Sequence, residues 1–258
     1  MGYRCITFER REAVALVTLN RPERANAMNR TMLAELNAAC DAVVTGAGGA
    51  FSSGFDLKEQ AAARPEGVAQ WRDVLRDDFD TVMRFWHLSK PTVAAVRGPA
   101  LAGGCELALA CDVTVAAEDA RFGEPELRFG AGIVVMLMPW LTGPKHAKEI
   151  LLTGEDEIGA ERACEIGLVN RVVPVGEEVE AALSLARRMA AIEPALLKRT
   201  KATINRMYRM MGFDDALDMA LDQDILIEGE GTATKREFLE IARTQGLRAA
   251  IAWRDGER

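Results

Sequence analysis

Histidine is almost absent from this 258-residue chain: His87 and His146 are the only two, far apart and at no metal-ligand spacing. Cysteine occurs five times, at 5, 40, 105, 111 and 164, never as C-x-x-C. These scarcities argue against a structural zinc site, and an odd set of scattered thiols suits a reducing cytoplasm better than a disulfide framework. Positive charge is also in deficit. Thirty-two basic side chains face thirty-nine acidic ones, giving a formal net charge of −7 and a pI near 5.1. That is the wrong sign for a protein that binds by neutralising a phosphate backbone, so nucleic acid is not an expected partner. No apolar run approaches the roughly eighteen residues that a membrane span needs. Met1 to Arg11 carries three arginines but no apolar h-region, so no signal peptide is expected there.

Several signatures of nucleotide and hydrolase chemistry are missing too. Gly46, Gly48 and Gly49 resemble a dinucleotide loop, but the third glycine of G-x-G-x-x-G would fall at Phe51. No G-x-x-x-x-G-K-[ST] loop exists, and Ser52 and Ser53 stand outside any G-x-S-x-G elbow. With two histidines a Ser-His-Asp hydrolase has little to work with.

What is present is the composition of a folded protein, 49% apolar and 28% charged, long enough to bury roughly three quarters of its unfolded surface. Ala13 to Leu19 reads as a buried strand closed by Asn20-Arg21-Pro22, and Arg4 to Arg10 alternates enough to pair with it. Met32, Leu33, Leu36 and Ala39 mark one helix face, with Asn29 or Thr31 as cap, before a short strand over Ala42 to Thr45. Apolar residues stepping by three and four from Val68 to Trp86 predict a long amphipathic helix over Glu66 to Leu88. His87 ends it, in a packing or C-terminal dipole role. Strands at Thr92–Val96 and Val113–Ala117 flank a short helix at Gly104–Ala110, the succession of an α/β fold. Helices at Lys145–Leu152 and Ala160–Ile166 and a strand at Leu168–Val173 repeat it. The uncharged stretch Phe129 to Thr142 reads as loop plus buried helix. After Gly176 only helical periods remain, at Glu177–Ala191, Pro194–Met211, Asp214–Ile227 and Thr232–Trp253. This divides the chain into an α/β core over 1–193, which holds the site, and a helical oligomerisation region over 194–258.

Two glycine-rich turns, Phe51 to Lys58 and Ala100 to Glu106, each lead into an apolar segment. Facing each other, they would set two N–H donors on one carbonyl oxygen, the arrangement an enolate or oxyanion needs. Steric demands alone also place glycine in such turns. Glu106 is the sole charge in Cys105 to Cys111, and Glu126 follows twenty residues later in Phe122-Gly123-Glu124-Pro125-Glu126. A carboxyl in an apolar surround gains a raised pKa suited to acid–base work. The alternative is a solvent-facing Glu106 and a loop charge at Glu126.

Taken in order, several blocks resemble the enoyl-CoA hydratase/isomerase (crotonase) superfamily. They are Val14 to Pro22, Thr45-Gly46-Ala47-Gly48 into Phe51 to Leu57, Ala100 to Glu106 running into Asp112, and Phe122 to Glu126. Leu151-Leu152-Thr153-Gly154 and Gly167 to Pro174 complete the set. The resemblance implies an α/β spiral of repeated β-β-α turns with a helical C-terminal region. It implies an oxyanion hole made by the backbone N–H groups of Phe55 and Gly103, and Glu106 and Glu126 as the catalytic carboxylates. It implies a coenzyme A channel lined by Arg24, Asp56, Leu57 and Lys58, with Arg24 and Lys58 facing the phosphates. On this reading the protein hydrates a 2-enoyl-CoA with no permanently bound cofactor or metal, coenzyme A arriving as part of the substrate, and assembles as a homotrimer or homohexamer. Isomerisation, or another enolate reaction such as dehydration or hydrolysis, is the nearest alternative, and a non-catalytic acyl-CoA binder a further one.

Three departures stand out. The stretch after Glu126 is bulky, Gly132 to Trp140, where the family has Pro-Gly-x-Gly-Gly-Thr. The segment Asn29 to Val44 is about ten residues short of the usual helix–loop–strand, and the C-terminal stretch from Gly229 lacks the common ending.

Overall fold

The computed structural model describes residues 2–39 and 43–256. The expected strand start at Ala42, and part of the short segment before Thr45, lie outside the described residues. The chain opens with an antiparallel pair, β1 (Ile6–Arg11) and β2 (Val14–Leu19), followed by α1 (Arg30–Ala39) and β3 (Val43–Gly46). Asn29 caps α1, its Oδ1 accepting the Met32 N–H at 2.9 Å. Next come α2 (Leu57–Ala63), the long α3 (Gly67–His87), β4 (Val93–Val96), β5 (Pro99–Leu101) and α4 (Gly103–Ala110). Then follow β6 (Val113–Ala117), β7 (Arg121–Gly123), α5 (Met138–Thr142), α6 (Pro144–Thr153), β8 (Ile158–Gly159), α7 (Ala160–Glu165) and β9 (Arg171–Val173). Five helices finish the chain: α8 (Glu178–Ala190), α9 (Pro194–Met210), α10 (Phe213–Glu230), α11 (Ala233–Thr244) and α12 (Leu247–Arg254).

The main sheet runs β1-β2-β3-β4-β6-β9, parallel from β2 onward, and a smaller sheet runs β5-β7-β8. Parallel strands buried on both faces need apolar residues at every position. The two faces separate by alternation. Val14, Leu16, Val43, Val93, Ala95 and Val115 pack against Ala182, Leu183 and Ala186 of α8. Val17, Leu19, Val44, Ala94, Val96 and Ala116 turn the other way, into the main core beneath α1, α3 and α4. Every residue of α4 is buried, which explains why it carries no amphipathic pattern.

The helical C-terminal region shares this core. Phe213, Leu217, Leu221 and Ile225 of α10 join the same apolar cluster as Trp71, Leu75 and Phe79 of α3, and Trp86 stacks on Phe213 at 4.6 Å. Lys201 of α9, almost fully buried, bonds Asp112 Oδ2 at 2.7 Å and the Lys90 carbonyl at 3.0 Å. The single helix expected over Thr232–Trp253 is two: Gly246, at φ 96°, breaks the path between α11 and α12. Among the described residues no helix is long and apolar enough to cross a membrane.

Candidate active site

The two glycine-rich turns meet. Ser52 pairs with Ala100 as an isolated parallel bridge, its N–H donating to the Pro99 carbonyl and its carbonyl accepting the Leu101 N–H. Beside it, Met28 bridges to Phe55: the Met28 N–H donates to the Gly54 carbonyl at 2.8 Å, and the Asp56 N–H to the Met28 carbonyl at 3.0 Å. That pattern engages the groups on either side of Phe55 and turns the Phe55 N–H away from Met28. Gly54, at φ +92°, lies so close to the second turn that a Cβ there would stand 2.8 Å from Ala102 Cβ and 3.1 Å from Gly103 N. Only glycine fits that approach. A Cβ on Gly103 would in turn run into the Phe55 ring.

Ala102 carries the strain of this junction, at φ 54° and ψ −135°, a region non-glycine residues rarely occupy. Its N–H is held by the Gly123 carbonyl at 2.9 Å, and the next residue, Gly103, opens α4. The first amides of a helix have no partner within it. Neither the Phe55 nor the Gly103 N–H donates to any acceptor among the described residues. The fastener of the first turn is Asn26, fully buried at φ 53°. Its Nδ2 donates to the Ala47 and Ala50 carbonyls at 2.9 and 2.8 Å, while its Oδ1 accepts the Arg21 N–H. The sequence reading missed it because its partners are distant along the chain.

A cavity of about 460 Å³ opens beside these turns, lined by Phe55, Leu57, Ala102, Glu126, Val134 and Asp224 among others. Arg24 and Lys58 are exposed at its wall and have no ion-pair partner among the described residues. Asp56 also lines it, but its carboxylate is engaged: Oδ1 caps α2 through the Lys58 and Glu59 N–H groups, and Oδ2 holds Arg21 at 2.9 Å. The bulky segment after Glu126 does not fill the cavity. Ile133, Val135, Leu137 and Met138 are buried in the main core, Trp140 packs edge-on against Phe213, and of Gly132 to Trp140 only Gly132 and Val134 line the cavity.

Both candidate glutamates are buried, so the solvent-facing alternative for Glu106 does not hold. Glu106 is 1% exposed. It lies behind the cavity wall, its Oε1 accepting the Val135 N–H at 2.7 Å and its Oε2 without a partner. Burial, and then the charge of Glu126, push its carboxyl well above the usual range. Glu126 faces the cavity with Oε2 unpartnered, and burial pushes it up to about 8. A third buried acid, Glu124, links the pair to α4. Its carboxyl is raised by burial and by the charges of the other two glutamates, and it meets the Cys105 thiol and the Glu126 carboxyl. Buried carboxyls this close cannot all ionise near neutrality, so the cluster keeps protons to give alongside lone pairs to take one.

The first residues that sequence inspection passed over here are Glu124 and Asp224. Asp224 lies on the buried stripe of α10 with Leu217, Leu221, Ile225 and Glu228, an acid at a core position of a helical period.

Against known proteins, the model of the family described as enoyl-CoA hydratase/isomerase matches residues 9–228. The chain belongs to that family. It is 38% identical to a 2,3-dehydroadipyl-CoA hydratase of Escherichia coli K12, over 76% of this chain and 80% of that protein. It is 31% identical to a short-chain-enoyl-CoA hydratase of Clostridium acetobutylicum, over 94% of this chain and 97% of the other. A crystal structure of an enoyl-CoA hydratase/isomerase from Xanthobacter autotrophicus Py2 superposes with a TM-score of 0.97 at 59% identity, covering 100% of this chain and 99% of that one. The fold is that of the crotonase superfamily.

Proposed function

We propose that the protein is an enoyl-CoA hydratase, adding water across the 2,3 double bond of a 2-enoyl-CoA. The observation that carries this is the pair of free N–H groups at Phe55 and Gly103 beside the cavity that Glu126 faces. Two donors on the thioester oxygen stabilise the enolate that forms when a water oxygen bonds to C3. The carboxyls then close the proton balance: one accepts the proton the water loses, and one delivers a proton to C2. The thioester bond is untouched. Arg24 and Lys58 supply local positive charge for the coenzyme A phosphates, compatible with a net negative protein. Nothing in this scheme requires a permanently bound cofactor.

The experiment follows loss of the conjugated enoyl-thioester absorbance with purified protein and a panel of 2-enoyl-CoAs. Turnover supports the reading; absence of turnover at every chain length, with acyl-CoA binding intact, overturns it. A second reading, isomerisation of a 3-enoyl-CoA by Glu126 alone, is favoured by the position of Glu106 behind the wall. It predicts a gain of the same absorbance from 3-enoyl substrates.

Homo-oligomer formation, as a trimer or hexamer, is supported by the exposed apolar side chains Leu196, Ile204, Met207, Met210 and Met219 on α9 and α10 and Met211 between them. Light scattering on the purified protein tests it. The free thiols of Cys5 and Cys105, both buried, support a cytoplasmic setting, which cell fractionation tests.

A further inference from the structure

The cavity wall contributed by α10 and α11 is charged where an alkyl pocket would be apolar throughout. Asp224, Glu228 and Lys235 line it, near Leu75 and Phe238. Two of the three charges satisfy each other. Lys235 Nζ bonds Glu228 Oε2 in a buried ion pair and sits 4.5 Å over the Trp71 ring. The third has no such partner. Asp224 is 3% exposed, and neither of its carboxylate oxygens makes a hydrogen bond. The Gly132 amide lies against both acids, and its well-directed hydrogen bond, at 3.4 Å, goes to Glu228 Oε1. A Cβ on Gly132 would collide with the Asp224 carboxylate, so the loop backbone comes up against this acid with no side chain between. A buried carboxyl left without a well-directed donor is costly, and among the described residues no side chain hydrogen-bonds it.

Building on the enoyl-CoA reading, we propose that Asp224 reads the tail of the acyl group, accepting a hydrogen-bond donor, a hydroxyl or an ammonium, carried by the substrate. The charges around it decide the class. Lys235 is engaged by Glu228, and Arg254 by Asp156 at 3.0 Å and Asp255 at 2.7 Å, so no cation on this wall is free to meet a carboxylate tail. A carboxylate would face Asp224 and Glu228 as like charges. An alkyl tail would leave Asp224 buried without a partner. A hydroxyl satisfies it in either protonation state, since a hydroxyl both donates and accepts. The rest of the wall suits a short carbon chain: Leu75, Val134, Phe129 and Phe238 are apolar and border the same cavity.

The test is titration calorimetry with saturated short-chain acyl-CoAs, which bind without turnover, at several chain lengths with alkyl, ω-hydroxy, ω-amino and ω-carboxy tails. On the unmodified protein the hydroxy and amino ligands should bind roughly tenfold or more tightly than the alkyl ligand of equal length, and the carboxy ligand more weakly. Asp224→Asn keeps the shape and an acceptor, and should retain the hydroxy preference while losing the amino one. Asp224→Leu should erase both. The readout is the ratio between ligands on one protein, so a general loss of affinity cancels. Should the leucine variant fail to fold, the asparagine variant still decides through the amino arm. Binding of all four tails without preference, or an amino preference that survives Asp224→Asn, overturns the inference alone. Failure of every acyl-CoA to bind overturns the enoyl-CoA reading and this inference with it.

Discussion

Val135 donates its backbone N–H to Glu106 Oε1 at 2.7 Å, tying the loop that follows Glu126 to the helix whose first amide belongs to Gly103. The proposed oxyanion donor, the buried acid and the loop bordering the cavity are thus one mechanical unit. Glu126→Gln, which removes the only one of the two glutamates facing the cavity, should lower kcat/KM by about 10²–10⁴. Glu106→Gln keeps an acceptor for Val135, so its effect isolates the acid–base role and should be of similar size for hydration. Steady-state kinetics on a 2-enoyl-CoA measures both. A silent Glu106→Gln would transfer the case to isomerase-type chemistry on Glu126.

The pH profile should carry the mark of the buried cluster. Glu126 is raised to about 8, chiefly by burial, so the protonated form persists through neutrality and is lost above that value. If the cluster must deliver a proton, kcat/KM should hold through neutrality and fall as pH passes about 8. A profile still rising there would contradict this assignment.

Stability should respond with a definite sign. Asp78 and Asp224 are each raised to about 7 and Glu126 to about 8, in every case chiefly by burial. A carboxyl whose folded pKa exceeds its unfolded one holds its proton longer in the native state. Its contribution is full below the unfolded value, near 4, and is lost as pH rises through the folded value. The melting temperature should therefore decline between about pH 5 and about pH 8.5, and Asp224→Asn should flatten the decline. Calorimetric scans across that window check it; a melting temperature that climbs would refute it.

Gly54→Ala should be severe. The residue sits at φ +92° and its new Cβ would press on Ala102 Cβ at 2.8 Å. Strain plus collision should cost about 2–4 kcal/mol and displace the Phe55 amide. Denaturant midpoints and kcat measured on the same variant check it, a near-neutral result on either count being the contrary outcome.

Much of the scaffold was legible because burial on both faces forces unbroken apolar strands, as in β4 and β6, and because α3 repeats its apolar face over 21 residues. Asn29 announced itself as a cap. Less visible was whatever depends on contacts across long sequence separations. Asn26 shows nothing by itself, since its meaning lies in the carbonyls of Ala47 and Ala50. The break at Gly246 hid inside a continuous helical period. Asp224 could have been found, because an acid on the stripe of Leu217, Leu221 and Ile225 contradicts the helix's own pattern, but only the fold shows that the stripe there borders a cavity. The bulk of the loop after Glu126 is plain in the sequence, but only the fold shows that most of its side chains turn into the core.

The buried acids also alter what the molecule is in solution. The formal charge of −7 counts Asp78, Glu106, Glu124, Glu126 and Asp224 as ionised, yet all five have pKa values raised by burial. The native protein is therefore less anionic near neutrality than its formula, and at the acidic pH where the unfolded chain is neutral the folded one still keeps those protons. Its native isoelectric point should therefore lie above the 5.1 of the sequence, and focusing gels run with and without urea should separate folded from unfolded chains by charge alone.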